Sequence, residues 1–157
     1  KDAVVASMLI CEMAAYYKSQ GKTLIDVMNG LYDEFGYYCN TVQSYTFEGA
    51  AGMEKMAAIM DGLRDNKPSS FAGYEVTKID DYKTSKSTIV KTGEESEITL
   101  PKSNVLAYTL TNGNKVIVRP SGTEPKIKAY ITAIGQSEEN AKEIAQKPLD
   151  DANELMK

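Results

Sequence analysis

The chain has 157 residues, 42% of them apolar and 25% charged, and its 18 Lys plus Arg against 22 Asp plus Glu leave a net charge of −4. That length supports one respectable core with a small appendage, and the acidic balance argues against nucleic acid as the main partner. Histidine is absent and only Cys11 and Cys39 occur, which excludes His-based triads, most zinc sites and a disulfide scaffold. No run approaches the length of an apolar membrane span. Lys1-Asp2 leads straight into a periodic pattern rather than a signal peptide. Two thiols without a scaffold fit a reducing, cytoplasmic setting.

Val4, Met8, Cys11 and Ala15 fall on one helical face, widened by Val5, Leu9 and Tyr16. Gly21 ends that helix. Thr23 opens a second one in a Thr-x-x-Asp capping pattern with Asp26. Ile25, Met28, Tyr32 and Phe35 carry its apolar face, flanked by Val27 and Leu31, and Gly36 is the stop. The opening segment therefore reads as a helical hairpin with more apolar surface than it can bury alone, as expected if the chain starts inside a larger protein. Residues 37–47, rich in Tyr, Thr and Val, read as strand or extended linker.

Gly49 and Gly52 flank the start of a third helix with the stripe Met53, Met56, Ala57, Met60 and Leu63, closed by Asn66-Lys67-Pro68. At helical spacing such a Met stripe indicates core rather than an adaptable groove. Short strands follow at 74–82, 87–91 and 105–110, and Asn112-Gly113 signals a type I′ turn into a strand at 115–118. The polar 84–103 stretch reads as a loose hairpin or loop. Residues 127–134 alternate Ile127, Ala129, Ile131 and Ala133 with Lys128, Tyr130, Thr132 and Ile134, the pattern of a central strand covered on at least one face. Ser137, with Glu138 and Glu139 behind it, caps a last helix striped by Ala141, Ile144, Ala145, Ala152 and Leu155. Pro148 is expected to kink or divide that helix near Lys147. The order defines an α+β fold, an antiparallel sheet with helices packed on it.

One segment carries chemistry: Val118-Arg119-Pro120-Ser121-Gly122-Thr123-Glu124-Pro125-Lys126-Ile127-Lys128. Arg119 offers a planar fork of donors that stays charged at any working pH. Ser121 and Thr123 supply hydroxyls, and Gly122 lets backbone N–H groups approach an anion. Pro120 and Pro125 stiffen the ends. A positive cluster in an acidic chain focuses anionic ligands. The same residues also make an ordinary turn with solvated cations beside it, and spacing alone leaves both readings open. A P-loop is excluded, because no Gly-Lys-Ser/Thr opens a helix here.

This loop, set after a hairpin and before a strand and a final helix, resembles the phosphate-binding loop of the α-D-phosphohexomutases. Ile10-Cys11-Glu12-Met13-Ala14-Ala15-Tyr16-Tyr17-Lys18 and Gln20-Gly21-Lys22-Thr23-Leu24 are similar to the last part of that family's third domain, in its bacterial phosphoglucomutase/phosphomannomutase branch. The resemblance covers nearly the whole chain. It implies that residues 1–39 are the helical end of the third domain, and that 40–157 form the fourth, a TATA-binding-protein-like unit. Such enzymes interconvert 1- and 6-phosphosugars, here glucose 1-phosphate and glucose 6-phosphate. A phosphoserine donates its phosphoryl group and a bisphosphorylated sugar reorients. The fourth domain clamps the phosphate that is not reacting. Carried over position by position, Arg119, Ser121, Gly122 and Thr123 hold that phosphate. Lys128 stands where relatives often have arginine, and Glu124, Pro125 and Lys126 shape the loop.

The resemblance also implies partners and absences. The partners are a sugar phosphate and the N-terminal domains of the same polypeptide. A Mg2+ ion serves the full-length enzyme at a site outside this chain. Neither the family's serine loop nor its aspartate-rich metal loop is found here, so no catalytic residue is assigned. Gly93-Glu94-Glu95-Ser96 matches the family's sugar loop in letters but lies on the wrong side of the domain-three helix, and reads as a solvated turn. The alternatives are a phosphomannomutase, a phosphoglucosamine mutase, or a non-catalytic anion- or protein-binding module. Asp80-Asp81 and Asp150-Asp151 do not converge on one ion, since neighbouring side chains diverge. Cys11 reads as core, Cys39 has no activating basic neighbour, and the ten tyrosines are assigned to packing.

Overall fold

A computed structural model describes residues 2–49 and 51–156. They form two compact units, 1–37 and 38–157. In the first, helix α1 (Ala3–Ser19) starts at Asp2, whose carboxylate accepts the Val5 N–H at 2.9 Å. Helix α2 (Leu24–Phe35) carries the expected capping box. The Thr23 hydroxyl oxygen accepts the Asp26 N–H at 3.2 Å, and the Asp26 carboxylate accepts the Thr23 N–H at 2.8 Å. The Thr23 hydroxyl also donates to that carboxylate at 2.7 Å, and this bond and the backbone one hold the Asp26 carboxyl below its ordinary range. Neither helix has a buried residue. Cys11, expected in a core, is exposed, because two helices alone cannot enclose the wide apolar arc of α1. Among the described residues no helix is long and apolar enough to cross a membrane.

The second unit is a sheet backed by two helices. Its strands are β1 (Tyr37–Thr46), β2 (Ser70–Phe71), β3 (Tyr74–Asp81), β4 (Lys86–Ile89), β5 (Glu95–Glu97), β6 (Leu106–Leu110), β7 (Lys115–Pro120) and β8 (Lys126–Gly135). They run β1-β8-β7-β6-β3-β4-β5, with β2 on β3. The pairings from β2–β3 and β5–β4 through to β7–β8 are antiparallel. Helix α3 (Gly52–Asp65) and helix α4 (Glu138–Leu155) complete the unit.

Period-two alternation decides which face is the core. Val116 and Val118 on β7, Leu106, Tyr108 and Leu110 on β6, and Ile127 and Ile131 on β8 are buried together with Met56, Met60 and Leu63 of α3 and Ala145 of α4. Burial pushes the Tyr108 phenol well above its ordinary range. Both helices therefore lie on one face. The other face, with Ile117, Arg119, Lys128, Tyr130 and Thr132, is partly open. At the far end of α3 the Arg64 guanidinium is held by Asp81 at 3.3 Å, the Met60 carbonyl at 3.2 Å and Asn104 at 2.6 Å. Buried Asn114 accepts the Ile134 N–H at 3.0 Å and ties the β6–β7 hairpin to β8.

Several details differ from the sequence reading. Met53 and Ala57 are exposed, because α3 buries only the narrower stripe of Gly52, Met56, Met60 and Leu63. Helix α4 runs through Pro148 without division; the ring is buried in the core, and that packing offsets the missing N–H bond. At its end Met156 is buried and Leu155 is 40% exposed. The polar stretch after residue 84 contains the ordered β4–β5 hairpin. Asp80 and Asp81 take separate partners, Lys78 and Arg64.

The turns differ most. Asn112-Gly113 does join β6 to β7, but Gly113 alone has positive φ, and its N–H bonds back to the Leu110 carbonyl at 2.9 Å. That is a three-residue loop with a left-handed glycine, not type I′. The type I′ geometry occurs instead at Ala72 and Gly73, with φ of 54° and 77°, between β2 and β3. Asp151 accepts the Ala72 N–H at 2.6 Å. Alanine is disfavoured in that region, whereas Asn tolerates it. Ala72→Asn is therefore expected to stabilise the protein by about 0.5–1 kcal/mol in denaturant unfolding. A lower midpoint would contradict this account of the turn.

Candidate functional site

The β7–β8 connection is shaped by its register. Arg119 pairs with Lys128 and Pro120 with Ile127. Because Val118 and Ile127 are buried, alternation places Arg119 and Lys128 opposite each other on the uncovered face. The loop closes with the Ser121 N–H on the Lys126 carbonyl at 2.8 Å and the Lys126 N–H on the Glu124 carbonyl at 2.7 Å. The Ser121 hydroxyl oxygen accepts the N–H groups of Thr123 and Glu124 at 3.4 and 3.3 Å. Among the described residues its own proton has no acceptor, so it can donate to a ligand.

The loop is braced from behind. Phe47 donates its N–H to the Pro125 carbonyl at 2.8 Å. Gly52, at the start of α3, fits so closely that an added Cβ would lie 2.4 Å from the Phe47 oxygen and 3.0 Å from the Pro125 Cβ. Gly122 is the opposite case. Its φ is not positive, and a Cβ there would meet nothing within 4 Å. The fold does not require glycine at 122; a side chain there would only narrow access to the loop.

Arg119, Ser121, Gly122, Thr123 and Lys128 all line one shallow cavity of about 350 Å3, together with Lys126, Glu124 and Tyr130. Three cations face one carboxylate, and that carboxylate is engaged. Glu124 is ion-paired with Lys126, which holds its carboxyl below the ordinary range. Among the described residues Arg119 and Lys128 have no ion-pair partner. Like charges directly opposite on neighbouring strands are destabilising, and Lys128 also acts on the Glu124 carboxylate, helping to lower it.

A second groove makes the contrast. It measures about 380 Å3 and is lined by Arg64, Asp81, Lys86 and Glu95, among others. It holds two ion pairs, Arg64 with Asp81 at 3.3 Å and Lys86 with Glu95 at 2.7 Å. Gly93-Glu94-Glu95-Ser96 belongs to that region. From β8 to β5 is five strand steps, roughly 24 Å at about 4.8 Å each. Among the described residues no three His, Cys, Asp or Glu side chains group to hold a metal ion. The residue that sequence reasoning missed is Tyr130. Alternation put it on the face opposite the core, but only the register shows that this face is the cavity wall.

Fold and topology together define an α+β domain with a cation-lined loop cavity on the uncovered face of its sheet. A family model described as phosphoglucomutase/phosphomannomutase, C-terminal domain, matches residues 53–150. The chain belongs to that family as its C-terminal domain. It is 38% identical over 132 residues to the phosphoglucomutase of Staphylococcus haemolyticus, covering 84% of this chain and 24% of that protein. The Staphylococcus aureus phosphoglucomutase (strain bovine RF122) is 41% identical over the same coverage. The one from Staphylococcus saprophyticus is 35% identical over 93% of this chain and 26% of its own length. The chain thus spans about a quarter of the length of these relatives. The fold is shared with the crystal structure of the exocytosis-sensitive phosphoprotein pp63/parafusin, a phosphoglucomutase from Paramecium, in its open form. That match has a TM-score of 0.62 at 15% identity, over 99% of this chain and 27% of the other.

Proposed function

We propose that this chain is the phosphate-holding C-terminal part of a phosphoglucomutase that interconverts glucose 1-phosphate and glucose 6-phosphate. The observation that carries the reading is the Arg119–Lys128 couple, held opposite each other by the strand register and facing the cavity. Arg119 grips the non-reacting phosphate through its planar fork, and Lys128 adds a point charge from the neighbouring strand. The hydroxyls of Ser121 and Thr123 and the backbone at Gly122 donate to the remaining oxygens. Residues 1–39 then correspond to the helical end of the preceding domain and 40–157 to the fourth domain, in a cytoplasmic enzyme.

Anchoring a remote phosphate orients the sugar for transfer at its other end. The transfer itself, from a phosphoserine through a bisphosphorylated sugar, belongs to the N-terminal domains of the polypeptide. A Mg2+ ion there would neutralise charge on the moving phosphoryl group. No step of it is assigned to residues of this chain. The test is an assay of the full-length polypeptide with glucose 1-phosphate and, separately, mannose 1-phosphate. Preferential formation of glucose 6-phosphate is expected. Faster turnover of the mannose ester, or turnover of neither, would overturn this assignment.

A further inference from the structure

We propose that Tyr130 is the sugar-facing residue of the loop cavity, its ring forming a platform for the apolar face of a hexose whose phosphate lies between Arg119 and Lys128. This rests on the phosphate reading above. Tyr130 lines the same cavity and stands opposite Ile117 on β7, two register positions from the Arg119–Lys128 pair. Residues two apart on a strand share a face and lie about 6.7 Å apart, within reach of the ring of a hexose phosphate held by the cation pair.

Core packing does not account for the side chain. The buried face of β8 belongs to Ile127, Ala129 and Ile131, and Tyr130 is directed away from it. Among the described residues its hydroxyl has no hydrogen-bond partner. A ring with an unengaged hydroxyl suits a ligand that is apolar on one face and hydroxylated at its edge. Inorganic phosphate has no such face. Tyr130 therefore separates the sugar from the anion in the binding energy.

The experiment measures dissociation constants of inorganic phosphate and of glucose 6-phosphate for the wild-type chain, Tyr130→Phe and Tyr130→Ala. Tyr130→Leu replaces the alanine variant if the latter loses its native amide spectrum. In the wild type the sugar phosphate is expected to bind more tightly than phosphate, by roughly two- to tenfold. The alanine variant abolishes that excess and the phenylalanine variant retains most of it, with the phosphate constant unchanged in both. An unchanged ratio in Tyr130→Ala overturns the proposal. So does equal weakening of both ligands, which marks a structural role, and so does a wild-type ratio of one. Failure of the wild type to bind phosphate at all removes the loop reading itself, a result distinct from the other three.

Discussion

Arg119→Ala is expected to weaken phosphate binding to this chain by about 10- to 100-fold, the scale of a lost charge-assisted contact. In the full-length enzyme it should raise KM and lower kcat together, because the remote phosphate is what orients the reacting end. The physical basis is the strand register. Arg119 and Lys128 are held opposite each other by the pairing of β7 with β8, and among the described residues no carboxylate pairs with the arginine. The same geometry predicts an opposite effect on stability. Without ligand, removing one of two opposed cations relieves repulsion, so Arg119→Ala should unfold at equal or slightly higher denaturant, by at most about 1 kcal/mol. A variant that lost stability and kept phosphate affinity would show that Arg119 is structural.

Gly135→Ala is expected to cost about 2–3 kcal/mol, as overpacking against a rigid neighbour does. A Cβ at 135 would lie 2.5 Å from the Ala141 nitrogen and 2.8 Å from its Cα. These are backbone atoms in the first turn of α4, so no rotamer change relieves the clash. That turn is fixed by the Ser137 hydroxyl accepting the Asn140 N–H and by Asn140 accepting the Gln136 N–H, both at 3.1 Å. Gly62 provides the control. It lies inside α3, and a Cβ there meets nothing within 4 Å. Gly62→Ala should therefore stabilise by about 1 kcal/mol through helix propensity alone. Opposite signs for the two substitutions are the expected result. A stabilising Gly135→Ala would contradict the packing of α4 on β8.

What the sequence made legible was local chemistry. Thr23 and Asp26 are three residues apart, and the capping box they form needs nothing from the rest of the chain. Arg119 to Lys128 is one hairpin connection, so its donors had to end up near one another. What it concealed depends on distant partners. The left-handed Ala72 is tolerated beside Asp151, 79 residues away, and no turn signature marks it. Pro148 reads as a breaker until its burial against the sheet is seen. Met53 and Cys11 fit their helical stripes, yet periodicity gives only a direction and not what covers it. Tyr130 illustrates this limit at the site. Its alternation was plain, but the pairing of β8 with β7 is what turns that face into a cavity wall.

The most direct test of the central claim is a titration of inorganic phosphate into the isotope-labelled chain, followed through its backbone amides, with glucose as the control. The account predicts saturable shifts concentrated at residues 121–128 and at Arg119, abolished by raised salt and absent with glucose. Shifts spread over the lysines of the surface, or none in the loop, would contradict it.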